Sequence, residues 1–196
     1  LRVTEDDVKE VHEMYTAMQD KMCDCGAVGL VVDIVSDSAA DDLLVIAALE
    51  LGIELLVDGN LYVQTVLFEY LTTNKNHLFF SSIERRIVRA RAAVKLKRKR
   101  KKAQGRASRK DVLAFIEETD GVDYVRMNLV GQFLQLCCEG HNLQMQDLLR
   151  DQGSAVDAGG VPFGFLKTSN LVDATTDLVV YMAKDDLKVK DMAADD

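Results

Sequence analysis

Cysteine and histidine side chains are the residues of this chain that could bind a metal ion or act as nucleophile and base. The four cysteines form one C-x-C pair, Cys23 and Cys25, and one adjacent pair, Cys137 and Cys138. Neither pair has the ligand separation of a zinc finger or ribbon. His141 follows Cys138 by three residues, but the intervening glycine argues against a regular helical face. We interpret the cysteines as buried reduced thiols, typical of a reducing compartment, and expect no metal or other cofactor.

The sequence contains none of the common motifs of enzyme chemistry. G-x-S-x-G and H-E-x-x-H do not occur, nor does a glycine-rich loop of the nucleotide-binding type. The histidines His12, His77 and His141 are far apart in the sequence. Adjacent acids such as Asp41 and Asp42 do not face each other on a helix, and they lack the EF-hand pattern. We therefore predict that the chain is not an enzyme and has no catalytic residue.

Positive charge is concentrated in one segment of an otherwise acidic chain. Fourteen of the 24 Lys and Arg residues lie between Glu84 and Lys110, with one of the 32 acids. The run K-L-K-R-K-R-K-K supplies the candidates for electrostatic docking, which are Lys95, Lys97, Arg98, Lys99, Arg100, Lys101 and Lys102. Such a block is typical of a solvated insert, or of a site for calmodulin, an acidic protein, an anionic lipid or nucleic acid. The absence of aromatic residues between Phe80 and Phe115 makes nucleic acid unlikely.

The elements that must position these residues are predicted to be helices. The chain has a single proline, and leucine and alanine are frequent, which favours helices. A helix starting after Thr4 has an apolar face at helical spacing, formed by Val8, Val11, Tyr15, Met18 and Met22. Residues 41–57 are apolar on nearly all sides, which predicts a helix buried between neighbours. Residues 27–35 are rich in valine, which would suit a strand, but they lie between helices.

The charge pattern divides the chain into four predicted regions. These are helices over 1–83, a basic and flexible insert over 84–110, a second helical domain over 111–184, and a loose charged tail over 185–196. The first residue is Leu, which suggests a fragment or a processed chain. The longest apolar run, Leu43–Leu49, is far shorter than the ~20 residues that cross a bilayer. No signal sequence opens the chain.

Two helix breaks repeat the same pattern. In the first break Gly59 is followed by Asn60, and Gln64 lies four residues after the asparagine. In the second break Asn142 is followed at the same spacing by Gln146. Asn can cap the start of a helix, and we predict that the glutamine bridges to a neighbouring helix. The asparagines are 82 residues apart, about two armadillo-type repeats.

The second break lies in a phrase that resembles a known family. Residues 133–152 read F-L-Q-L-C-C-E-G-H-N-L-Q-M-Q-D-L-L-R-D-Q. They resemble the receptor-homology-associated domain of the inositol trisphosphate and ryanodine receptors, and residues 26–83 resemble the helices before it. The motif residues are Gly59, Asn60, Gln64, Phe133, Leu136, Glu139, His141, Asn142, Gln146, Leu149, Arg150 and Gln152. The chain departs from the family pattern at Cys137, at Gly140 and in a longer loop over 153–164.

The resemblance implies an all-α fold, an armadillo-like α-solenoid of antiparallel helices. It further implies a cytosolic scaffold that relays ligand state in an intracellular calcium-release channel at the endoplasmic reticulum membrane. Its partners would be neighbouring domains or subunits of a channel tetramer. The alternative is a soluble adaptor that binds acidic or anionic partners through the basic segment.

Burial of the second break is open to a direct test by substitution. Leu136→Asp or Leu149→Asp should unfold this part of the chain, because each places a charge in an apolar contact. The measurement is thermal unfolding, and an unchanged melting temperature would contradict the predicted burial.

Overall fold

The computed structural model describes residues 4–73, 76–103, 127–154, 156, 159–164 and 168–192, with only the backbone described for 96–103 and 182–192. Over these ranges the regular structure is helical, apart from an isolated bridge between Val156 and Pro162. In chain order the helices are α1 (Glu5–Asp24), α2 (Ala27–Ser36), α3 (Asp42–Leu56), α4 (Leu61–Thr73), α5 (His77–Ala103), α6 (127–137), α7 (Leu143–Arg150) and α8 (Leu171–Met192). The predicted all-α class is therefore confirmed for the described part of the chain.

The helices form two units with the same order of parts. The first unit contains α2, α3 and α4, and the second contains α5, α6 and α7. Helix α2 packs on α5, α5 packs on α8, α1 packs on α4, and α4 packs on α7. Gly52 of α3 lies against the Phe133 ring of α6. Equivalent helices of successive units are therefore in contact.

One apolar core runs through both units. Val32 and Val35 of α2, Phe79 of α5 and Met145 of α7 are all almost fully buried in it. The valines that would suit a strand are helical here, because this packing outweighs their weak intrinsic preference. No helix within the described ranges is both long enough and apolar enough to cross a membrane.

Helix α1 buries a different face from the one that its apolar spacing predicts. The capping box between Thr4 and Asp7 starts the helix as expected. However, Gln19 and Cys23 are the buried residues of α1. The predicted apolar face is largely exposed, at Val8, Val11, Met18 and Met22. The helix turns its polar side inward because Gln19 hydrogen-bonds to backbone carbonyls of the first unit.

The basic segment begins as a helix. Helix α5 continues to Ala103, so residues 84–103 of the predicted insert are helical. Lys and Arg have good helix propensity, and buried Ile83 and Ile87 anchor the preceding turns. Residues 104–110 of the predicted insert and 111–126 of the predicted second helical domain lie outside the described residues. Helix α8 likewise continues to Met192, so the tail predicted from 185 is helical up to that residue.

Candidate functional site

The two helix breaks have the same backbone geometry, and we call Leu56–Asn60 the first corner and Cys138–Asn142 the second corner. In the first corner, Asp58 and Gly59 have φ values of 62° and 69°. In the second corner, Gly140 and His141 have φ values of 71° and 60°. Such left-handed pairs reverse the chain quickly between two helices. The side-chain oxygens of Asn60 and Asn142 then cap α4 and α7 by accepting from Val63 N and Met145 N, both at 3.1 Å.

A buried glutamine of α1 holds the first corner. Gln19 Nε2 donates to the carbonyls of Glu54, at 2.8 Å, and Val57, at 3.2 Å. Asn60 Nδ2 donates in return to Gln19 Oε1 at 2.9 Å, and also to Asp20 Oδ1 at 2.9 Å. The carbonyls at a helix C-terminus have no partner within the helix. Gln19 satisfies two of them where α3 ends.

The second corner is held in the same register by a glutamine of α4. Gln64 Nε2 donates to the carbonyls of Leu136, at 2.9 Å, and Glu139, at 3.1 Å. Asn142 Nδ2 donates to Gln64 Oε1 at 2.9 Å. In both corners the accepting carbonyls lie six and three residues before the asparagine. We call this arrangement the glutamine clamp, and the Gln64 side chain within it is completely buried.

The two corners also touch each other directly. A Cβ atom added to Gly59 would lie 3.3 Å from Cγ of Glu139. Gly59 therefore provides both the left-handed backbone conformation and the space for the second corner. His141 occupies the equivalent position in the second corner, and its side chain is exposed.

The other motif residues fulfil structural roles or remain exposed. Phe133 and Leu149 are buried in the core, and Arg150 is an exposed partner of Asp147. Gln152 is completely buried and donates to the carbonyls of Leu148 and Ser169, at 2.5 and 3.1 Å. It thereby joins the end of α7 to the start of α8.

Gln146 differs from the two clamping glutamines. It lies four residues after Asn142, at the register that Gln64 has after Asn60. Its side chain is partly exposed and makes no hydrogen bond within the described part of the chain. The bridge that the sequence predicts is thus formed by Gln64 and not by Gln146.

The predicted burial of the cysteines is wrong for Cys25, which is exposed, whereas Cys23 and Cys137 are buried and Cys138 is partly buried. Burial raises the pKa of Cys137 well above its usual value, and burial also raises the pKa of Cys23 and of Cys138. A thiol with a raised pKa is protonated at neutral pH and is a poor nucleophile. The described residues contain no cluster of His, Cys, Asp and Glu that could hold a metal ion.

A shallow groove between α5 and α8 is lined by charged side chains that already have partners. Arg91 forms an ion pair with Asp177 at 2.8 Å and lies over the ring of Tyr181. Glu84 accepts from Ser169 Oγ at 2.7 Å. Beyond the groove, Lys95 is exposed, and Lys97, Arg98, Lys99, Arg100, Lys101 and Lys102 lie on the last turns of α5, where only the backbone is described.

Sequence reasoning missed the residues that join α1 to the first unit and α2 to α4 within it. Gln19 has no preceding asparagine, because Tyr15 stands where the repeated pattern would require one. Three tyrosines donate to carboxylates across helix pairs: Tyr15 to Glu54 at 2.6 Å, Tyr62 to Asp24 at 2.6 Å, and Tyr70 to Asp33 at 3.0 Å. The only sequence signal is the abundance of acids around a few tyrosines, which does not identify the pairs.

The fold and the clamps define an all-helical class of protein over the described residues, in which buried polar side chains hold helix ends to neighbouring helices. Residues 123–194 match the family model described as RyR and IP3R Homology associated. This match confirms the resemblance to ryanodine and inositol trisphosphate receptor homology that residues 133–152 show in the sequence.

Proposed function

We propose that the chain is an armadillo-like α-solenoid segment of an intracellular ligand-gated calcium-release channel of the inositol trisphosphate receptor type. In this role it is a non-catalytic scaffold and relay on the cytosolic face of the endoplasmic reticulum. Its partners are neighbouring domains or subunits of the channel. The main support for the proposal is the glutamine clamp, which is formed at both corners in the same register. The second corner lies in the region that matches the family model.

The clamps explain how such a stack would transmit movement. A buried polar network whose groups are all paired resists partial rearrangement, since each broken hydrogen bond leaves a desolvated group. The corners therefore move together with the helices that clamp them. A stack of such rigid units converts small rotations at one end into displacement at the other.

The parent polypeptide provides the first test. An antibody raised against the chain should detect, in microsomes, a polypeptide far larger than 21.8 kDa that sediments as a tetramer. A band of 21.8 kDa in the soluble fraction would contradict the channel assignment and favour a standalone protein in the cytosol.

The relay role is tested in the same parent channel by calcium release from permeabilised cells. Gln64→Ala should weaken the response to inositol trisphosphate without reducing ligand binding, because the clamp lies outside the ligand-binding region in this proposal. Gln144→Ala is the matched control, since Gln144 is an exposed amide on α7. An unaltered dose–response curve for Gln64→Ala would exclude the clamp from the relay.

The alternative function, an adaptor for acidic partners or anionic lipids, is favoured by one observation. Helix α5 continues beyond the residues that it buries through a basic run from Lys95, which is exposed, to Lys102. Cosedimentation with phosphatidylserine vesicles and pull-down by calmodulin test it at low and high salt. Lack of binding at low salt, where surface charge is least screened, would count against this function.

A further inference from the structure

The position of Gln146 continues a series that the first two glutamine clamps define. Gln19 of α1 clamps the first corner, and Gln64 of α4 clamps the second corner. Helices α1, α4 and α7 follow one another in contact. Gln146 is the residue of α7 at the Gln64 register, and its amide has no partner in the described residues. The series therefore has a third glutamine without a third corner.

A second row of helices, formed by α2, α5 and α8, also indicates a third helical unit. Helix α2 precedes the first corner in the chain, and α5 precedes the second corner. Helix α8 is the third member of this row, because it packs on α5 as α5 packs on α2. Thus α8 occupies the position of the helix that begins a third unit.

We propose that Gln146 is the clamp for a third helical corner, supplied by a helix pair outside residues 1–196 that follows α8 in a longer polypeptide. This inference rests on the helical stack proposed above, but not on the channel assignment. This third corner must offer three groups to Gln146. Two are backbone carbonyls three residues apart at the end of a helix, and the third is the side-chain amide of an Asn three residues after the second carbonyl. Gln146 Nε2 donates to the carbonyls, and Gln146 Oε1 accepts from the Asn.

A second copy of this chain does not fit the same site. The carbonyls of its first corner are already engaged by its own Gln19, and those of its second corner by its own Gln64. A copy would have to break one of these buried clamps before it could offer a corner. The group that binds Gln146 must therefore be a helix corner that no other glutamine already clamps.

The local surface of the second corner also constrains the occupant. Glu139 of the second corner approaches Gly59 of the first corner closely. His141 has the Gly59 position in the second corner and carries an exposed side chain. If a third corner approaches His141 in the same way, it needs a small residue three residues before its asparagine, which is the position that Glu139 has before Asn142.

The experiment extends residues 1–196 by a second copy of residues 104–150, which contains α6, the second corner and α7. The added copy carries Glu139→Ala to leave space for His141. Hydrogen exchange and circular dichroism at 222 nm are compared between the extended and the original chain. We expect additional helical signal, and amide exchange in the added corner at least about tenfold slower than in the same chain with Gln146→Glu.

Three matched variants separate the clamp from general packing. Gln144→Glu should leave protection of the added corner unchanged, because Gln144 is an exposed amide of the same helix. Asn142→Asp in the added copy keeps the helix cap but removes the donor to Gln146, so protection should fall. Gln146→Glu in the original chain should not shift the unfolding midpoint.

Two results would overturn the proposal. One is an added copy that gains no helical signal. The other is equal protection with Gln146 and with Glu at that position. Either result leaves the channel assignment intact, since that depends on the size and location of the parent polypeptide.

Discussion

The first and second corners use the same backbone and the same clamp, but they place their glycines differently. In the first corner the glycine is the second left-handed residue, where the neighbouring corner comes close. In the second corner the glycine is the first left-handed residue, and a Cβ added to Gly140 would meet no atom within 4 Å. Gly59 is thus needed for conformation and packing, whereas Gly140 is needed for conformation alone. The first corner therefore has α1 on one side and the second corner on the other. Within the described residues, the second corner is clamped only by Gln64 of α4, and its Glu139 approaches Gly59 of the first corner.

The largest loss of stability should appear when the clamps are removed. Gln64→Ala leaves the carbonyls of Leu136 and Glu139 and the amide of Asn142 without partners in a buried site, which should cost about 3 kcal/mol of unfolding free energy. Gln19→Ala should cost about 2 kcal/mol, because Asn60 retains its hydrogen bond to Asp20. Urea unfolding followed by circular dichroism measures both. A larger loss at Gln19 would reverse the ranking of the two corners.

Replacing the glycine of either corner should destabilise the chain less than removing the Gln64 clamp. Gly140→Ala should cost about 1 kcal/mol, the strain of a left-handed alanine. Gly59→Ala should cost about 2 kcal/mol, because its Cβ must also displace the Glu139 side chain. Equal losses in urea unfolding would mean that the contact between the corners relaxes without cost.

Substitution of His141 by glycine should stabilise the second corner, unlike the glycine-to-alanine changes above. His141→Gly should stabilise the chain by about 0.5 kcal/mol, because glycine relieves the strain of a φ value of 60°. His141→Ala is the control, since alanine keeps a Cβ atom and most of the strain. A melting temperature that falls for glycine would show that the His141 side chain itself stabilises the second corner.

The smallest effect concerns the tyrosine contacts of the first unit and appears only at high pH. The hydrogen bond to Asp24, with the negative charge of that residue, raises the pKa of Tyr62 to about 12. An unfolded tyrosine has a pKa of about 10, so the contribution of this phenol to stability is present below pH ~10 and is lost as the pH rises towards 12.

Absorbance of tyrosinate at 295 nm follows this titration. Asp24→Asn should bring the Tyr62 step back towards about 10, and Tyr62→Phe should remove it. A titration curve that is unchanged by Asp24→Asn would show that the contact between α4 and α1 does not persist in solution.

The cap of the second corner could be predicted from the sequence, because Asn142 and the helix that it caps are adjacent in the chain. The asparagine–glutamine spacing predicts both Gln64 and Gln146 as bridging residues, but within the described residues only Gln64 forms the bridge. The face of α1 could not be predicted in this way. Apolar spacing favours Val8 and Met18, whereas the buried residue is Gln19, whose partners are carbonyls 35 and 38 residues away. Every residue has a backbone carbonyl, so the sequence does not show which carbonyl accepts from Gln19. Only the fold identifies that partner.

The clamp on the second corner joins groups that are distant along the chain. Gln64 and Asn142 are 78 residues apart along the chain, and α5 and α6 both lie within this interval. Closing a flexible loop costs only about 0.6 kcal/mol for each doubling of its length. This is well below the loss of about 3 kcal/mol expected when Gln64 is removed. The chain can therefore accept long insertions between α5 and α6 during evolution, and the paired corners would still close.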